Sequence, residues 1–184
     1  MAADSSLQSQ VLAKLPPQRT AGISDATEAI RSLWRLAGIT NFERIGVRYS
    51  KDYLRSEPVD SLRSYYVSAG QRYGIDWSYL GAINYVESDF GRVTGPSSAG
   101  AQGPMQFIPS TWAIYGSGDI TSEHDSVMAA ARYLAVAGAP DDYGRAILAY
   151  NHDPNYESAI EHFATALRSD PRWLTRLYYW STFG

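Results

Sequence analysis

The chain contains no cysteine, so it offers neither a disulfide framework nor a thiolate metal site. It also lacks any long block of one charge, because 16 Lys and Arg stand against 19 Asp and Glu, a formal net charge of −3. This balance is not the basic footprint of a nucleic-acid-binding protein, and it gives no strong steering toward an anionic surface. We therefore expect no nucleic acid among the partners.

Long apolar runs are missing as well. The longest mostly apolar stretch, Val127 to Pro140, is interrupted by Arg132 and is far shorter than the roughly 20 residues that cross a bilayer. The N-terminus, MAADSSLQSQVLAKLPPQRT, has no basic start followed by an apolar stretch, as a signal peptide would. Either the protein is not exported by that route, or the chain is a trimmed form whose leader has been replaced by Met1. No membrane-spanning segment is expected.

Hydrophobic and aromatic residues, by contrast, are plentiful. Hydrophobic side chains make up 45% of the 184 residues, which is enough for one well-formed core but little for two generous domains. The aromatic residues comprise 14 Tyr, 5 Trp and 5 Phe. Core packing explains most of them, and the alternative is that some line a groove where sugar faces stack.

Helical signals dominate the chain, although its N-terminal part is less regular. Up to about Gly22 the sequence is polar, and we interpret it as a weakly ordered arm. Asp25 and Glu28 resemble a capping box that opens one helix, which Gly38 would close. The link that follows, ITNFERIGVRYSKDYLRSEP, shows no sustained alternation and is predicted to be irregular.

From Val59 onward, glycines, prolines and capping residues divide the sequence into six or seven helices. The predicted helical segments are VDSLRSYYVSAGQRYG, WSYLGAINYVESDF, PSTWAIYG, EHDSVMAAARYLAVAG, DDYGRAILAYN, PNYESAIEHFATALRSD and PRWLTRLYYW. The sequence therefore predicts a mainly α protein with an N-terminal arm over residues 1–56 and a helical domain over residues 57–184.

Glu87 is the first candidate for chemistry. It lies in the last turn of the helix that Asp76 is predicted to cap, on the same face as Leu80, Ile83 and Asn84. The helix macrodipole and partial burial both disfavour an anion there, so both would raise the pKa of this carboxyl. A protonated acid on a cleft wall can protonate the leaving oxygen of a glycosidic bond. The alternative is an ordinary surface glutamate near a helix end.

The loop after Glu87 favours the functional alternative. The segment TGPSSAGAQGPMQF is longer than a connection between helices needs. Its glycines, Gly95, Gly100 and Gly103, suit sharp turns or close approaches of the backbone. Gln106 carries both a donor and an acceptor, which suits sugar hydroxyls and acetamido groups, although a Gln that serves only its own loop is an equal alternative.

Three motifs together resemble a known family. Glu87-Ser88, then GAQGPMQFIPSTW, then Ala149-Tyr150-Asn151 resemble, in order and spacing, the motifs of lytic transglycosylases with a goose-lysozyme-like (SLT) catalytic domain. The QF-IPSTW variant looks closest to the membrane-bound-B type and its actinobacterial relatives. The resemblance covers roughly residues 59–160 and implies a lysozyme-like helical domain with a glycan-binding cleft. It says little about the first 55 residues or the last 20.

The resemblance also implies roles for single residues. Glu87 matches the single catalytic acid/base of the family. Met105 and Gln106 match the residues that line the sugar groove beside it. Ser97 matches the loop serine that hydrogen-bonds the glutamate or the N-acetyl group of the substrate, and Ser98 is the alternative because the loop has one extra residue.

The remaining motif positions are expected to shape the other side of the site. Tyr150 and Asn151 match the pair that closes the cleft opposite the glutamate, and with the serines and the Met-Gln pair they form the implied substrate-binding set. Phe107 is expected to pack beneath the loop. Ser88 and Gly103 belong to the motifs as structural positions.

The reaction that the resemblance implies is substrate-assisted cleavage of peptidoglycan. The acid protonates the oxygen that links N-acetylmuramic acid to N-acetylglucosamine, and the muramyl C6 hydroxyl then closes a 1,6-anhydro ring. One carboxyl group suffices, whereas ordinary glycosidases need two. Asp89 and Asp119 are therefore poor candidates for a second catalytic group. No cofactor is implied, and the implied partner is a peptidoglycan glycan strand.

Two other functions stay open at this point. A lysozyme-type muramidase on the same fold would complete the reaction with water, and a non-catalytic peptidoglycan-binding module would keep the groove without turnover. His124, His152 and His162 lack the spacing of metal ligands, so no metal site is predicted. Because the substrate is cell-wall material, we expect the protein in the bacterial envelope or outside it, with action from a virion as one alternative.

Overall fold

Helices make up nearly all of the regular structure. The computed structural model describes residues 5–39, 56–93 and 95–183, and within these ranges it contains no strand beyond one isolated bridge between Gln102 and Phe107. The helices are α1 (Ser5–Leu12), α2 (Pro17–Leu36), α3 (Val59–Tyr73), α4 (Trp77–Ser88), α5 (Pro109–Tyr115), α6 (Glu123–Ala137), α7 (Tyr143–Tyr150), α8 (Pro154–Ser169) and α9 (Arg172–Phe183). The predicted mainly α class is confirmed.

Both predicted ends of α3 and the predicted start of α4 are confirmed, and the local chemistry explains them. Helix α4 ends at Ser88 rather than at the predicted Phe90, because Asp89 and Phe90 are in the left-handed region at φ 51° and 60°. Gly74 ends α3 in the left-handed region at φ 72°, where a residue without Cβ is unstrained. Asp76 then caps α4, because its carboxylate accepts a hydrogen bond from the Ser78 N–H at 2.9 Å. These two signals turn the chain sharply and bring α4 back against α3.

The later helices also begin at the predicted signals. Pro109 occupies the first turn of α5, and Ser122 caps α6 by accepting from the Asp125 N–H. Asp142 and Asp153 cap α7 and α8 in the same way. Seven helices, α3 to α9, therefore form the part of the molecule after residue 57.

The N-terminal part differs from the prediction. Helix α2 begins at Pro17 rather than near Asp25, so Asp25 and Glu28 lie inside the helix and form no capping box. Pro17 is a good first helical residue, which permits the earlier start. Gly22 lies inside the helix and does not break it. Its lack of a side chain lets α2 approach the Trp173 indole so closely that a Cβ would overlap the ring. Helix α1 likewise stands where a weakly ordered arm was predicted.

Helix α2 packs along α8. The hydroxyls of Ser32 and Ser158 are 3.0 Å apart across this contact, and Asp25 lies 3.2 Å from the His162 ring. The predicted irregular link, residues 39–58, falls largely outside the described residues. The domain boundary at residues 56 and 57 stays a prediction.

The core lies between α3, α4, α6, α7 and α8. Its largest completely buried side chains are Tyr66, Tyr156, Phe90, Phe163, Leu62, Leu80, Ile83, Met105, Leu134, Ile147, Ile160 and Leu167. Helix α4 runs through the middle of this set and is buried on most sides, so its last turn ends inside the protein rather than on an open surface. Across the described part of the chain, no helix combines the length and apolarity that crossing a bilayer requires.

Candidate active site

Glu87 lies at the end of the buried helix α4, one residue before its last. Its side chain is partly buried, and this burial raises the pKa of the carboxyl from its ordinary value to about 7. The carbonyl groups at the end of α4 act in the same direction, since they present negative potential to the carboxyl. A large fraction of Glu87 is therefore protonated at neutral pH, as the sequence predicted from its position.

Tyr156 is the hydrogen-bond partner of Glu87. Its hydroxyl donates to Glu87 Oε1 at 2.6 Å, and its side chain is only 1% exposed on α8. This bond lowers the pKa of Glu87 in part, against the larger effect of burial. Burial and the nearby Glu87 in turn raise the pKa of the Tyr156 hydroxyl well above its usual range, so Tyr156 stays a donor.

Sequence reasoning missed Tyr156. The available signal was its spacing from Ile160 and Phe163, which places all three on one buried face of α8. That pattern predicts a core tyrosine, but it does not identify the carboxyl group 69 positions earlier that its hydroxyl meets. Only the packing of α8 on α4 brings the two together.

A polar cluster of Tyr66, Asn84 and Ser88 ties the end of α4 to the next loop. The Tyr66 hydroxyl donates to Asn84 Oδ1 at 2.5 Å, and Asn84 Nδ2 donates to the Pro104 carbonyl at 3.1 Å. Ser88 also donates to the Pro104 carbonyl, at 2.6 Å, and accepts from the Gly91 N–H at 2.8 Å. The serine of the first motif therefore fastens the loop that carries the second.

The loop turns tightly over residues 103–106. Both the backbone N–H and the side-chain Nε2 of Gln106 donate to the Gly103 carbonyl at 3.0 Å, and Gln106 itself has φ 49°. Gly103, at φ 74°, lies so close to the Ile120 carbonyl that a Cβ would overlap it. The side-chain nitrogen of Gln106 therefore serves the turn, while the side chain as a whole is partly exposed.

The Met105 side chain is completely buried in the core, so it does not line an open groove. Its backbone carbonyl accepts a hydrogen bond from the Tyr150 hydroxyl at 2.6 Å. Tyr150 thus holds the turn at Met105, next to the Pro104 carbonyl that the polar cluster holds. Phe107 packs beneath the loop, with its ring 5.7 Å from the rings of both Trp112 and Tyr150.

The other predicted binding residues lie at the edges of this arrangement. Asn151 is partly buried, and its Oδ1 accepts from the Asp153 N–H at 3.2 Å before α8 begins. Ser97 is exposed, and its hydroxyl accepts backbone hydrogen bonds from Ala99 and Ala101 at 3.2 and 3.1 Å. Ser98 is exposed beside it. The Ser97 hydroxyl thus bonds its own loop, and Glu87 receives its bond from Tyr156.

Asp89 and Asp119 both have structural partners. Asp89 lies 3.3 Å from the Arg92 guanidinium, just after α4. Asp119 accepts from the backbone N–H and the hydroxyl of Thr121, both at 2.8 Å, and these bonds lower the pKa of its carboxyl. Asp119 therefore lacks the raised pKa that a general acid needs.

Acidic and histidine side chains do not gather into a metal centre within the part of the chain that the structure describes. His124 lies 2.9 Å from Asp125, and His162 pairs with Asp25 between α8 and α2. Each of these histidines belongs to a local surface pair.

The helical architecture, the acid in the last turn of α4 and the Met-Gln turn agree with a match to a known family. The model of the transglycosylase SLT domain family matches residues 64–164, which include the acid, the turn and Tyr156. The chain belongs to this family. The family resemblance predicted from the three motifs is confirmed.

A curated relative agrees with the family match. The chain is 30% identical over 125 residues to the membrane-bound lytic murein transglycosylase F of Thiobacillus denitrificans. The alignment covers 64% of this chain but only 26% of that protein, so the chain corresponds to about a quarter of its relative's length. No solved structure matches the chain.

Proposed function

We propose that this protein is a peptidoglycan lytic transglycosylase that cleaves the β-1,4 bond between N-acetylmuramic acid and N-acetylglucosamine and leaves 1,6-anhydromuramic ends. The observation that carries the proposal is the partly buried Glu87: its pKa is near 7, it accepts a hydrogen bond from Tyr156, and its neighbour Ser88 is bonded to the Met-Gln turn at Pro104. The family match and the name of the curated relative support the same reaction.

The hydrogen bond from Tyr156 fixes which oxygen of Glu87 delivers the proton. Because Tyr156 donates to Oε1, that oxygen acts as the carbonyl of the protonated acid, and Oε2 carries the proton. Oε2 would protonate the glycosidic oxygen as the bond to the muramyl anomeric carbon breaks. The muramyl acetamido oxygen would attack this carbon from the other side.

The same carboxyl group would complete the reaction. Glu87, now ionised, takes the proton from the muramyl C6 hydroxyl, whose oxygen attacks the anomeric carbon and displaces the acetamido oxygen. A pKa near 7 suits a group that must both give and take a proton near neutrality. The Tyr156 hydroxyl stabilises the ionised form between the two steps.

Substrate contacts are proposed for the residues around the turn. The partly exposed Gln106 side chain would bind a sugar hydroxyl or the acetamido group, and the exposed Ser97 or its neighbour Ser98 would meet the N-acetyl group. Tyr150 and Asn151 would close the other side. Met105 is completely buried and would act indirectly, because its carbonyl holds the Tyr150 hydroxyl.

The glycan strand of peptidoglycan is the proposed partner, and the bacterial envelope or the space outside it is the proposed location. The relative is named as a membrane-bound murein enzyme, which supports a location of this chain at the cell wall.

Mass spectrometry of the fragments released from purified peptidoglycan tests the function directly. The wild type should release fragments with anhydromuramyl ends, and Glu87→Gln should fold, bind glycan and release none. Reducing muramic ends would instead make the protein a lysozyme-type hydrolase. A wild type that binds glycan but releases no fragments would identify a binding module, and full activity of Glu87→Gln would refute the role of Glu87.

A further inference from the structure

A second carboxyl group is buried close to the site and is not used by the reaction. Glu123 is the first residue of α6, and its two carboxyl oxygens are shielded from solvent. Among the described residues neither oxygen has a partner in good hydrogen-bonding geometry, and the nearby Asn84 amide offsets the burial of this carboxyl only in part. A buried polar group without a partner is costly, so its place in the fold calls for an explanation.

The surroundings of Glu123 connect it to α4, the helix that carries Glu87. Its Oε1 lies against Gly91, just after α4, so closely that a Cβ at Gly91 would overlap it. The Asn84 amide is near enough to lower the pKa of Glu123 in part, and Glu123 raises the pKa of Tyr66. Two members of the polar cluster that fastens Pro104 therefore border this carboxyl group.

The start of α6 contacts both ends of the loop that follows Glu87. Glu123 meets Gly91 at the beginning of the loop. Ile120 and Ser126 meet Gly103 at its end, and the Ser126 hydroxyl donates to the Ile120 carbonyl at 2.6 Å. Residues 120–126 thus form one platform that sets the distance between the end of α4 and the Met-Gln turn.

We propose that Glu123 is a positioning residue of the site: its uncharged carboxyl holds the platform of residues 120–126 against Gly91, and its ionisation loosens the platform and the turn at Gly103. The inference rests on the proposed function for its effect on turnover. Its structural part concerns the platform alone.

The electrostatics around Glu123 favour the uncharged form near neutral pH. Burial raises the pKa of the carboxyl to about 7, and the nearby Glu57 acts in the same direction. Tyr66 from α3 is a neutral donor already bonded to Asn84, and on α6 itself His124 pairs with Asp125. The N-terminus of α6 favours an anion, but desolvation is the larger effect at this position.

Ionisation would place an unpaired charge between Gly91 and the polar cluster. The carboxylate would move toward water, and the first turn of α6 would move with it. Because the same turn supports Gly103, the 103–106 turn would lose its fixed distance from Glu87. Activity should therefore fall with rising pH for two reasons, the ionisation of Glu123 and the ionisation of Glu87.

The test compares the wild type with Glu123→Gln, which imitates the uncharged acid. In the wild type the fall of log kcat/KM with pH above 7 should be steeper than one unit per pH unit, because two groups ionise. In Glu123→Gln the slope should be one. Asp141→Asn is the matched control, since it removes an exposed carboxylate at the end of the loop after α6 and should keep the wild-type slope.

A measurement without substrate separates this inference from the proposed function. The unfolding equilibrium constant is measured by urea denaturation at pH 5 and at pH 8, in Glu87→Gln and in the double variant that also carries Glu123→Gln. The change between the two pH values should be roughly 100-fold smaller in the double variant. An unchanged pH dependence would overturn the inference even if the enzyme is a transglycosylase. If Glu123→Gln fails to fold, Glu123→Leu, which cannot ionise, replaces it in the same comparison, and a retained pH dependence there would equally overturn it.

Discussion

At the scale of single residues, the pair of Glu87 and Tyr156 shows two opposed influences on one proton. Burial disfavours the carboxylate, and the 2.6 Å hydrogen bond favours it, but burial is the larger effect and the pKa rises to about 7. A fully solvated glutamate would be almost entirely ionised at that pH and could not act as the acid.

Replacing Tyr156 by Phe should therefore change both the rate and its pH dependence. The pKa of Glu87 should rise, because a hydrogen bond that stabilises its ionised form is lost, so the alkaline limb of kcat/KM should move to higher pH. The maximal rate should fall roughly 10- to 1,000-fold, as for the loss of one orienting or charge-stabilising hydrogen bond. A pH-rate profile on soluble glycan strands measures both effects.

Tyr79→Phe is the matched control for that variant. Like the bond between Tyr156 and Glu87, the bond from Tyr79 joins α4 and α8. The Tyr79 hydroxyl donates to Glu161 at 2.9 Å, away from Glu87. Its loss should leave the pH-rate profile unchanged. If Tyr156→Phe keeps the wild-type profile, Tyr156 does not tune the catalytic acid.

At the scale of elements, two glycines of the loop after α4 distinguish the cost of backbone strain from the cost of a steric overlap. Gly100 has φ 79°, and a Cβ added there would stand in open space. Gly103 has φ 74°, and a Cβ added there would overlap the Ile120 carbonyl. Both positions disfavour a side chain by backbone conformation, but only Gly103 adds a steric overlap.

Gly100→Ala should cost about 1 kcal/mol of unfolding free energy, the cost of a non-glycine residue in the left-handed region. Gly103→Ala should cost at least about 2 kcal/mol more, because the platform must move, and activity should fall with it. Urea denaturation and fragment release measure the two quantities. Equal losses in both variants would show that the contact with Ile120 contributes nothing.

The elements also show what sequence reasoning can predict. Caps such as Asp76 and Ser122 and the terminal Gly74 act on their own neighbours, so the sequence alone located α3 to α9. The predicted start of α2 was wrong because the polar sequence up to about Gly22 was interpreted as an arm. The lack of a side chain at Gly22 instead serves the contact with Trp173, about 150 positions away. Close approaches of this kind are not visible in local patterns.

At the scale of the whole molecule, the two glutamates whose pKa values rise to about 7, Glu87 and Glu123, dominate how stability changes above pH 5. In the unfolded chain Glu87 and Glu123 ionise near their ordinary pKa of 4.5, but in the folded protein they ionise near 7. Their contribution to stability is thus fully present below pH 4.5 and is lost as the pH rises through 7.

The unfolding free energy should accordingly be lower at pH 8 than at pH 5, by on the order of 3 kcal/mol for each glutamate. The exposed aspartates with lowered pKa values, Asp119, Asp125 and Asp170, act in the opposite direction, but below pH 5 and under solvent screening. Urea denaturation at the two pH values measures the difference. A protein equally stable at both would contradict the burial of these carboxyl groups.

The site was predicted from sequence only in part, for a reason that also concerns the whole molecule. Glu87, Ser88 and the Met-Gln turn lie within 20 residues of one another, and their motifs are recognisable locally. Tyr156 and Glu123 reach the site through the packing of α8 and α6, and neither has a signal that distinguishes it from an ordinary core tyrosine or a helix-starting acid.

The separation of Glu87 and Tyr156 along the chain has a consequence for synthesis. The acid and most of the loop are made first, and the tyrosine that orients the acid follows 69 residues later. A growing chain therefore holds a glutamate that is still exposed, ionised and unable to act as an acid. The proton of this proposed acid acquires its place only when α8 has emerged and docked, so the proposed activity would arise as the last helices fold and not before.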